Sequence, residues 1–407
     1  MTTTDVVIGG GLAAAGAAAT LRESGTSTDV VVISDEEVPP YERPELSKGY
    51  LAGSTARERL DVRAEAWYAE HEIGLRLGRT AVRIDRQAHE VELDDGERVG
   101  YTRLLLATGS APIVPPLPGV DLAGVLRLRR VEDSDAVRAA IAAGGPLVIV
   151  GAGWIGLEVA AVARTAGVEV TLLERSPTPL HPVVGEEVGA TFTELHRAHG
   201  VDVRTGVTVA AIHGDGDGGR VRCVELADGT EVPAATVLLA VGARPRTELA
   251  EAAGLAVDDG VLVDVHLRTS DPAIWAAGDI ARAMNDWAGA RVRVEHFANA
   301  ADQGPFAARS MAGSAQRWSA PPFFWSDQYD VGLEYRGLAD PATDRLVLRG
   351  TPAAAPWQAF WLDADDRVTA AMHVNAWDDA KTLERFVTDR VAVDAEALAD
   401  PRRPLSP

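Results

Sequence analysis

The sequence predicts an α/β protein with two Rossmann-like dinucleotide-binding domains and a smaller α+β domain at the C-terminus. Three observations lead to this fold class. An apolar strand, a glycine turn and an alanine-rich helix occur at residues 5–25 and again at 146–167. A second apolar strand follows each copy, at 29–36 and 169–176. Near residue 319 the composition changes to aromatic residues and alternating strand patterns, which predicts a separate domain.

Length, charge and cysteine content narrow the class of protein. A chain of 407 residues is too long for one ordinary core, so two or three domains are expected. The net charge of −21 argues against binding to nucleic acid or to an anionic membrane surface. The single cysteine, Cys223, excludes an intrachain disulfide, a CxxC redox pair and a thiolate metal cluster, and we expect no metal site. We see no signal peptide or membrane span and expect a cytoplasmic protein.

The first half carries a GxGxxA loop directly after its first strand. Gly9 permits the tight turn, and Gly11 lets a pyrophosphate approach the backbone at the positive end of the following helix. Ala14 stands where a small residue is needed to pack the helix on the strand. Asp35 follows 21 residues after Ala14, where an acid can bind a ribose hydroxyl. These residues predict a dinucleotide site.

The second half carries a full GxGxxG loop. Its residues are Gly151, Ala152, Gly153, Trp154, Ile155 and Gly156. Glu174 comes 18 residues after Gly156, and a carboxylate there favours a free 2′-hydroxyl and hence NAD. The neighbouring Arg175 can accept a 2′-phosphate, so NADP stays open. Two complete loops with their acids predict FAD plus a nicotinamide cofactor, and hydride transfer between them.

Several motifs resemble those of a known family, the two-dinucleotide flavoprotein reductases with a glutathione-reductase-like fold. The segments "LLLATGS", "TSDPAIWAAGDIA" and "RPELSKGYL" carry this resemblance, together with the two glycine loops. The match is closest to the ferredoxin reductase branch, that of the putidaredoxin, rubredoxin and dioxygenase ferredoxin reductases. The tail segment "FFWSDQYDVGLEYRG" is the more specific part, and the resemblance covers essentially the whole chain.

The resemblance implies a domain plan and an activity. It implies an FAD-binding domain at 1–115 and 242–320, an NAD-binding domain at 116–241 and a C-terminal interface domain at 321–407. Members take hydride from NADH onto FAD and pass single electrons to a small 2Fe–2S ferredoxin, which feeds a monooxygenase or a dioxygenase. The positions that match family contacts to FAD are Ala13, Asp35, Lys48, Val82, Arg129, Asp279 and Phe297.

Not every one of these positions requires a cofactor to explain it. Asp279 follows Gly278 at the end of a strand, where its carboxylate can hold the ribityl chain. Core packing accounts nearly as well for Val82 and Phe297. Arg43 can reach a phosphate, and a solvated arginine accounts for it equally well.

The segment "PPYERPELSKGYL", residues 39–51, has no redox cysteine. The resemblance implies that Lys48 lies near the flavin N5, where a cation favours the reduced ring. Glu158, two residues past Gly156, can pair with Lys48 and move when NADH docks. A purely structural salt bridge is the competing interpretation. Because hydride transfer depends on orientation rather than on acid–base groups, we assign no catalytic base.

Without a cysteine, electrons are expected to leave the flavin one at a time. Trp325 matches a family tryptophan near the isoalloxazine ring, and we expect it to lie on this path. Residues 281–320 hold five arginines against three acids, so we expect a docking face for an acidic ferredoxin there. Surface charge that serves only solubility explains the same excess of arginines over acids equally well. The arginines are Arg282, Arg291, Arg293, Arg309 and Arg317.

Two other functions remain open at this point. A flavin NADH oxidase, a peroxidase or a disulfide reductase normally needs a cysteine beside the flavin, and Ser47-Lys48 offers none. A flavoprotein that resembles apoptosis-inducing factor, with mainly structural FAD, belongs to a different class. The intact second loop with Glu174 favours turnover instead. The oligomeric state, monomer or weak dimer, is left open by the sequence.

Overall fold

The structure, a computed structural model, describes residues 3–25, 28–216, 219–352 and 354–406. It has the mixed α/β architecture that the sequence predicts. The strands of the described residues, in chain order, are β1 Thr4–Ile8, β2 Asp29–Ile33, β3 Ile73–Arg76, β4 Ala81–Asp85, β5 Glu90–Leu93, β6 Arg98–Gly100, β7 Arg103–Leu106, β8 Ser110–Pro112, β9 Val125–Leu126, β10 Leu147–Val150, β11 Val170–Leu173, β12 Asp202–Arg204, β13 Val209–Gly214, β14 Val221–Leu226, β15 Glu231–Pro233, β16 Thr236–Leu239, β17 Ala243–Pro245, β18 Val261–Val263, β19 Ile274–Ala276, β20 Ala281–Asn285, β21 Ala290–Arg293, β22 Phe323–Gln328, β23 Val331–Gly337, β24 Arg345–Thr351, β25 Ala354–Leu362 and β26 Val368–Val374.

The α-helices of the same residues are α1 Leu12–Glu23, α2 Glu65–Glu70, α3 Val131–Ala143, α4 Trp154–Thr165, α5 His181–Ala198, α6 Glu248–Ala252, α7 Phe297–Met311, α8 Ala380–Thr388 and α9 Ala395–Ala399. A short 3₁₀ turn at Pro44–Ser47 precedes Lys48.

The described chain divides into two compact units. The first consists of residues 1–43, 57–111 and 244–322. The second consists of residues 44–56, 112–243 and 323–407, so it includes the segment that carries Lys48. The three-domain plan with boundaries at 115, 241 and 320 stays a prediction.

A parallel sheet in the order β19-β7-β1-β2-β3 forms the centre of the first unit. β1 pairs in parallel with both neighbours, so Val6 lies between Val31 and Leu104. Beyond their polar first residues, the three strands are apolar runs, as expected of a sheet whose two faces are both covered. β1 is a central strand, and the helix α1 that follows it begins at the carboxyl end of the sheet, where nucleotide sites of this fold form.

The second unit repeats this arrangement with a sheet in the order β12-β11-β10-β16-β9. Here β10 lies in parallel between β11 and β16, and α4 follows β10. Strands β10, β11 and β16 are buried along their whole length. The two Rossmann-like units that the sequence predicts are therefore confirmed.

The C-terminal part of the second unit is a five-stranded antiparallel sheet in the order β22-β23-β26-β25-β24. Helix α8 packs on this sheet through Leu383, Phe386 and Val387, which are all buried. The aromatic residues that marked the change in composition form its core, and Phe360 and Trp361 are almost fully buried. The predicted C-terminal α+β domain is confirmed as a fold.

Candidate functional site

The first glycine loop is built to hold a phosphate close to the backbone. A side chain at Gly9 would place its Cβ 2.1 Å from the carbonyl oxygen of Ala107, and the φ of Gly9 is +147°. Only glycine fits there. Gly11 caps the N-terminus of α1, and a Cβ on it would meet no protein atom within 4 Å. No side chain caps this helix start either, so the backbone at Gly11 is open to the approach of a pyrophosphate.

The second loop has the same construction. Gly151 has a φ of +104°, and a Cβ on it would lie 2.4 Å from the carbonyl oxygen of Ala240. Gly153 caps α4 and, like Gly11, has open space where a Cβ would stand. Gly156 packs so closely that a Cβ would lie 2.1 Å from the carbonyl oxygen of Gly151. Ile155 follows in the first turn of α4 with 45% of its surface exposed. Both loops fit the dinucleotides that the sequence predicts.

Glu174 stands directly after β11 and is fixed by two backbone groups. Its Oε2 accepts the N–H of Ala152 at 2.7 Å, and its Oε1 accepts the N–H of Ser176 at 2.7 Å. The carboxylate is thereby tied to the second residue of the glycine loop. This arrangement presents a negative charge at the edge of the predicted nicotinamide site, beside the place where a ribose is expected.

The corresponding position in the first unit is a serine. Gly9 N–H donates to Ile33 O and Gly151 N–H donates to Leu173 O, both at 2.8 Å, so the residue after Ile33 is the counterpart of Glu174. That residue is Ser34, whose hydroxyl accepts the N–H of Glu36 at 3.1 Å. Asp35 lies one position further, where its carboxylate pairs with Arg246 at 3.1 Å. The two halves therefore differ at this position, where the first has Ser34 and the second has Glu174. The contact of Asp35 with FAD stays a prediction.

Arg43 belongs to a partly buried cluster in the first unit. Its guanidinium donates to Oε1 of Glu36 at 2.6 Å, and the hydroxyl of the buried Tyr41 donates to Oε2 at 2.6 Å. Burial lowers the pKa of Arg43, but Glu36 and Tyr41 more than compensate and hold it above its ordinary value. The side chain of Arg43 is therefore oriented by a carboxylate, and it is not the freely solvated arginine that the sequence left open.

Asp279 lies where the first glycine loop and α7 meet. Its Oδ2 accepts the hydroxyl of Ser110 at 2.7 Å. The preceding Gly278 has a φ of +78°, and a Cβ on it would lie 3.3 Å from the Cβ of Ala13. Phe297 is the first residue of α7. Burial lowers the pKa of the adjacent His296 to about 4, while Asp279 acts in the opposite direction. The fold thus places Ala13 beside Gly278, the residue before Asp279, with the first turn of α7 next to them.

Two of the predicted FAD residues lie elsewhere in the fold. Val82 is in β4 of the small antiparallel sheet β4-β5-β6, and 49% of its surface is exposed. Arg129 precedes α3 in the second unit, and its backbone N–H donates to Oδ2 of Asp133 at 2.9 Å. Ala14 is fully buried in α1, as expected of a packing position. The contacts of Val82 and Arg129 with FAD stay predictions.

Lys48 and Glu158 form an ion pair in the second unit. Glu158 is only 5% exposed, and its Oε1 accepts a short hydrogen bond from Lys48 Nζ. The same oxygen accepts the hydroxyl of Ser326 at 2.7 Å, and Oε2 accepts the hydroxyl of Ser47 at 2.5 Å. A buried carboxylate needs such partners, because an unpaired buried charge costs several kcal/mol. One cation and two hydroxyls therefore satisfy this carboxylate.

Trp325 lies in β22 next to Ser326. Neighbouring residues of a strand point to opposite faces, so Trp325 faces away from the side on which Ser326 contacts Glu158. Trp325 pairs across the strands with Glu334, and its ring centroid lies 6.2 Å from that of Phe323. Trp154, the fourth residue of the second glycine loop, packs its ring with the centroid 4.4 Å from that of Phe324.

The five arginines of residues 281–320 differ in how they are bound. Arg309 is exposed, and its guanidinium makes no hydrogen bond or ion pair with the residues of the described ranges, although its backbone carbonyl accepts the N–H of Ser314 at 2.9 Å. The other four are bound inside the first unit: Arg282 to Asp258, Arg291 to the carbonyl oxygen of Val263, Arg293 to Asp259 and Glu295, and Arg317 to Asp286. Of this group, Arg309 is the one whose guanidinium has no ion-pair partner among the described residues.

Three hydroxyl residues at these sites were missed as functional candidates. They are Ser47 and Ser326, which bind Glu158, and Ser110, which binds Asp279. Alternation in the segment "FFWSDQ" would have separated the face of Trp325 from that of Ser326. Alternation along a strand shows on which face of the sheet a serine lies, but not which carboxylate its hydroxyl binds.

Comparison with known proteins matches this geometry to a family. Residues 4–304 match the model of the pyridine nucleotide-disulphide oxidoreductases, and residues 323–407 match that of the reductase C-terminal domain. The chain is 40% identical over 382 residues to putidaredoxin reductase of Pseudomonas putida, covering 93% of this chain and 90% of the relative. The chain belongs to the ferredoxin reductase branch of the pyridine nucleotide-disulphide oxidoreductase family.

Other relatives of this ferredoxin reductase agree. A ferredoxin–NAD(+) reductase component of the anthranilate 1,2-dioxygenase system of Burkholderia cepacia is 39% identical over 374 residues, 91% of each chain. The crystal structure of a covalent putidaredoxin reductase–putidaredoxin complex superimposes with a TM-score of 0.95 at 38% identity, covering 100% of this chain and 98% of that one. A ferredoxin reductase from Rhodopseudomonas palustris has the same TM-score at 34% identity, with 99% of both chains covered. The resemblance drawn from the sequence is confirmed.

Among the described residues, no helix is both long enough and apolar enough to cross a bilayer.

Proposed function

We propose that this protein is an FAD-dependent NADH:ferredoxin oxidoreductase. Its family and its enzyme class are those of the ferredoxin–NAD(+) reductases. The observation that carries the proposal is the pair of phosphate loops of the same construction, each with a glycine N-cap that has no side-chain cap and open space where a Cβ would stand. Two open loops accommodate two dinucleotides, FAD in the first unit and NAD in the second.

When bound, FAD would supply the chemistry for accepting a hydride from NADH and for releasing single electrons to a 2Fe–2S ferredoxin, which supplies a monooxygenase or a dioxygenase. The chain itself binds and orients the reactants. Gly9, Gly11 and Ala14 shape the loop at the FAD pyrophosphate. Asp279, held by Ser110, orients the polyol chain. The remaining FAD contacts that we propose are Ala13, Asp35, Arg43, Lys48, Val82, Arg129 and Phe297.

The second loop determines which nicotinamide cofactor binds. Gly151, Gly153, Ile155 and Gly156 surround the pyrophosphate position. Glu174 favours NADH, because its carboxylate is fixed by two backbone N–H groups and would repel a 2′-phosphate. The fixed position matters, since a carboxylate that could rotate away would discriminate less between the two cofactors.

The ion pair of Lys48 with Glu158 acts on the flavin. Lys48 places a positive charge beside the ring that gains electrons, and Glu158 holds the ammonium group in place. Trp325 lies on the path by which electrons leave. Arg309 contributes to the ferredoxin docking surface. This assignment is supported by its exposed guanidinium, which lacks an ion-pair partner in the described ranges, whereas Arg282 and Arg317 are paired with acids. A cytoplasmic location follows from the need for the NADH pool, and the oligomer is a monomer or a weak dimer.

An anaerobic titration tests the first half of this reaction. The purified holoprotein is titrated with NADH and, separately, with NADPH, and the absorbance of the flavin is followed. The proposal predicts that NADH bleaches the flavin in a one-to-one ratio and that NADPH does so only at much higher concentration. No bleaching by either would favour a structural role for FAD. Equal bleaching by both would remove the assigned role of Glu174.

Oxygen distinguishes the reductase from an oxidase. After reduction with NADH, a 2Fe–2S ferredoxin and then air are offered to separate samples. The proposal predicts rapid reoxidation by ferredoxin and slow reoxidation by air. Fast reoxidation by air or peroxide, with none by ferredoxin, would establish the oxidase or peroxidase alternative.

A further inference from the structure

Glu158 is the end of a continuous chain of hydrogen bonds inside the second unit. The hydroxyl of Ser326 donates a hydrogen bond to Oε1 of Glu158 at 2.7 Å. It accepts a hydrogen bond from Nε2 of Gln328 at 3.3 Å. Oε1 of Gln328 lies 3.0 Å from Nε2 of His196. Nδ1 of His196 lies 3.2 Å from the hydroxyl of Tyr329. The chain therefore links α5 and the C-terminal sheet to the carboxylate that binds Lys48.

The chain follows from the local sequence. Ser326 and Gln328 are two apart in β22, so both point to the same face of the sheet. On that face β22 packs against α4, which carries Glu158, and His196 of α5 reaches Gln328. Ser326, Gln328 and His196 are each at most 1% exposed, so water does not compete for these bonds.

Every bond in the chain points the same way. A neutral imidazole has one donor and one acceptor nitrogen. Because Gln328 uses its amide N–H on Ser326, its carbonyl oxygen must accept, so Nε2 of His196 carries the proton. Nδ1 of His196 then accepts the proton of Tyr329. Each group donates towards Glu158, and the positive ends of these dipoles point at its negative charge.

The titration behaviour of the two outer groups agrees with this polarity. Burial lowers the pKa of His196 to about 4, with Gln328 acting in the opposite direction, so the ring is neutral at pH 7. Burial raises the pKa of Tyr329 to about 12, so its hydroxyl keeps its proton and can donate. An amide such as that of Gln328 does not pass protons along, so the chain orients the carboxylate and does not conduct protons.

We propose that Ser326, Gln328 and His196 are positioning residues for Glu158, and that through them the C-terminal sheet fixes the carboxylate that holds Lys48. This inference rests on the proposed action of the Lys48–Glu158 pair on the flavin. It assigns the C-terminal region a part in the reduction of the flavin by NADH, in addition to any contact with ferredoxin.

Substitution of Ser326 tests the inference, because alanine removes the hydroxyl and threonine keeps it. A hydrogen bond to a charged group contributes about 1.5 kcal/mol, which corresponds to about a tenfold change. We expect S326A to lower the limiting rate of flavin reduction by NADH about tenfold, with the dissociation constant for NADH unchanged. S326T is expected to behave like the wild-type holoprotein.

The flavin midpoint potential, measured against redox dyes without NADH, gives a second readout. S326A leaves more of the Glu158 charge uncompensated, so the potential is expected to become more negative. K48M is expected to shift it in the same direction and E158Q in the opposite one. A wild-type potential and rate for S326A, with K48M shifted as expected, would overturn the inference while the reductase proposal stands. If K48M and E158Q both leave the potential unchanged, the role of the pair fails, and the inference fails with it.

The tautomer of His196 provides a test without any turnover. Nitrogen NMR of the histidine-labelled holoprotein, assigned with H196N, is expected to show the proton on Nε2. A proton on Nδ1 would reverse the polarity of the chain and overturn the inference. Bleaching of the flavin by NADH in wild-type protein decides the proposed function separately from this result.

Discussion

Replacement of His196 is expected to remove a specific part of the pH dependence of stability. The ring is fully buried, and both nitrogens are hydrogen-bonded, to Gln328 and to Tyr329. Burial lowers its pKa from 6.5 to about 4. In the unfolded chain the same group binds its proton at the ordinary value. The neutral ring is therefore favoured by folding, and its protonation opposes folding.

Proton linkage gives the sign and size of the contribution of His196 to the pH dependence of stability. Because the folded pKa is lowered, stability is fully present above about pH 6.5 and is lost as the pH falls towards about 4. The lowering of the His196 pKa from 6.5 to about 4 corresponds to a loss of about 3 kcal/mol in the free energy of unfolding as the pH falls through that interval. About 2 kcal/mol of this loss appears between pH 7 and pH 5. Burial of the ring in a low-dielectric surrounding is the cause.

The assay is urea unfolding of the holoprotein at a series of pH values between 7 and 5. We expect the free energy of unfolding of H196N to fall by about 2 kcal/mol less than that of the wild type over this range. H89N is the matched control, because His89 is exposed, and it should follow the wild type. If H196N and wild type show parallel pH profiles, His196 is not held neutral by burial, and the reasoning is refuted.

Three further changes have definite expected outcomes. G153A should leave the thermal midpoint unchanged, because its Cβ meets no protein atom within 4 Å, yet raise the KM for NADH at least about tenfold by occupying the pyrophosphate position. R349L should lower the free energy of unfolding by about 3 kcal/mol and expose the C-terminal tail to proteolysis, because the buried guanidinium binds four backbone carbonyl oxygens between residues 398 and 403. R309E should raise the KM for ferredoxin several-fold and weaken its salt dependence, with flavin reduction by NADH unchanged.

Two of these predictions have a matched comparison variant, and each has an outcome that would contradict it. G156A places a Cβ 2.1 Å from a backbone oxygen, so it should destabilise the protein where G153A does not. Equal KM values for G153A and wild type would contradict the assigned pyrophosphate position. A stable R349L with a protected tail would mean that the tail is held by its apolar contacts. R317E serves beside R309E, and unchanged ferredoxin reduction and salt dependence in both variants would exclude the proposed docking surface.

The glycine loops were predictable because their requirements are local. Gly9 and Gly151 need a positive φ and a close backbone approach, and those demands are visible as a short motif after an apolar strand. The pairing of Lys48 with Glu158 was also anticipated, because Lys48 lies in the family motif "RPELSKGYL" and Glu158 follows the second glycine loop by two residues. The alternation in "FFWSDQ" is also visible in the sequence. It places Ser326 on the face opposite Trp325, but only Trp325 was predicted to have a function.

The hydroxyl partners were not predictable, because they depend on how distant segments pack. Ser326 is 168 positions from Glu158 and reaches it only after β22 packs against α4. The position of Asp35 shows a different limit. Its spacing from the loop fits a ribose-binding acid, but the strand register makes Ser34 the counterpart of Glu174. Spacing alone does not resolve a difference of one residue at the end of a strand.

The stoichiometry of ferredoxin reduction tests the central claim most directly. Under anaerobic conditions a catalytic amount of the protein is mixed with a 2Fe–2S ferredoxin, and a limited amount of NADH is added while the absorbance of the ferredoxin is followed. The account predicts two ferredoxins reduced for each NADH, because a hydride delivers two electrons and each cluster accepts one. Oxidation of NADH without reduction of ferredoxin would contradict it.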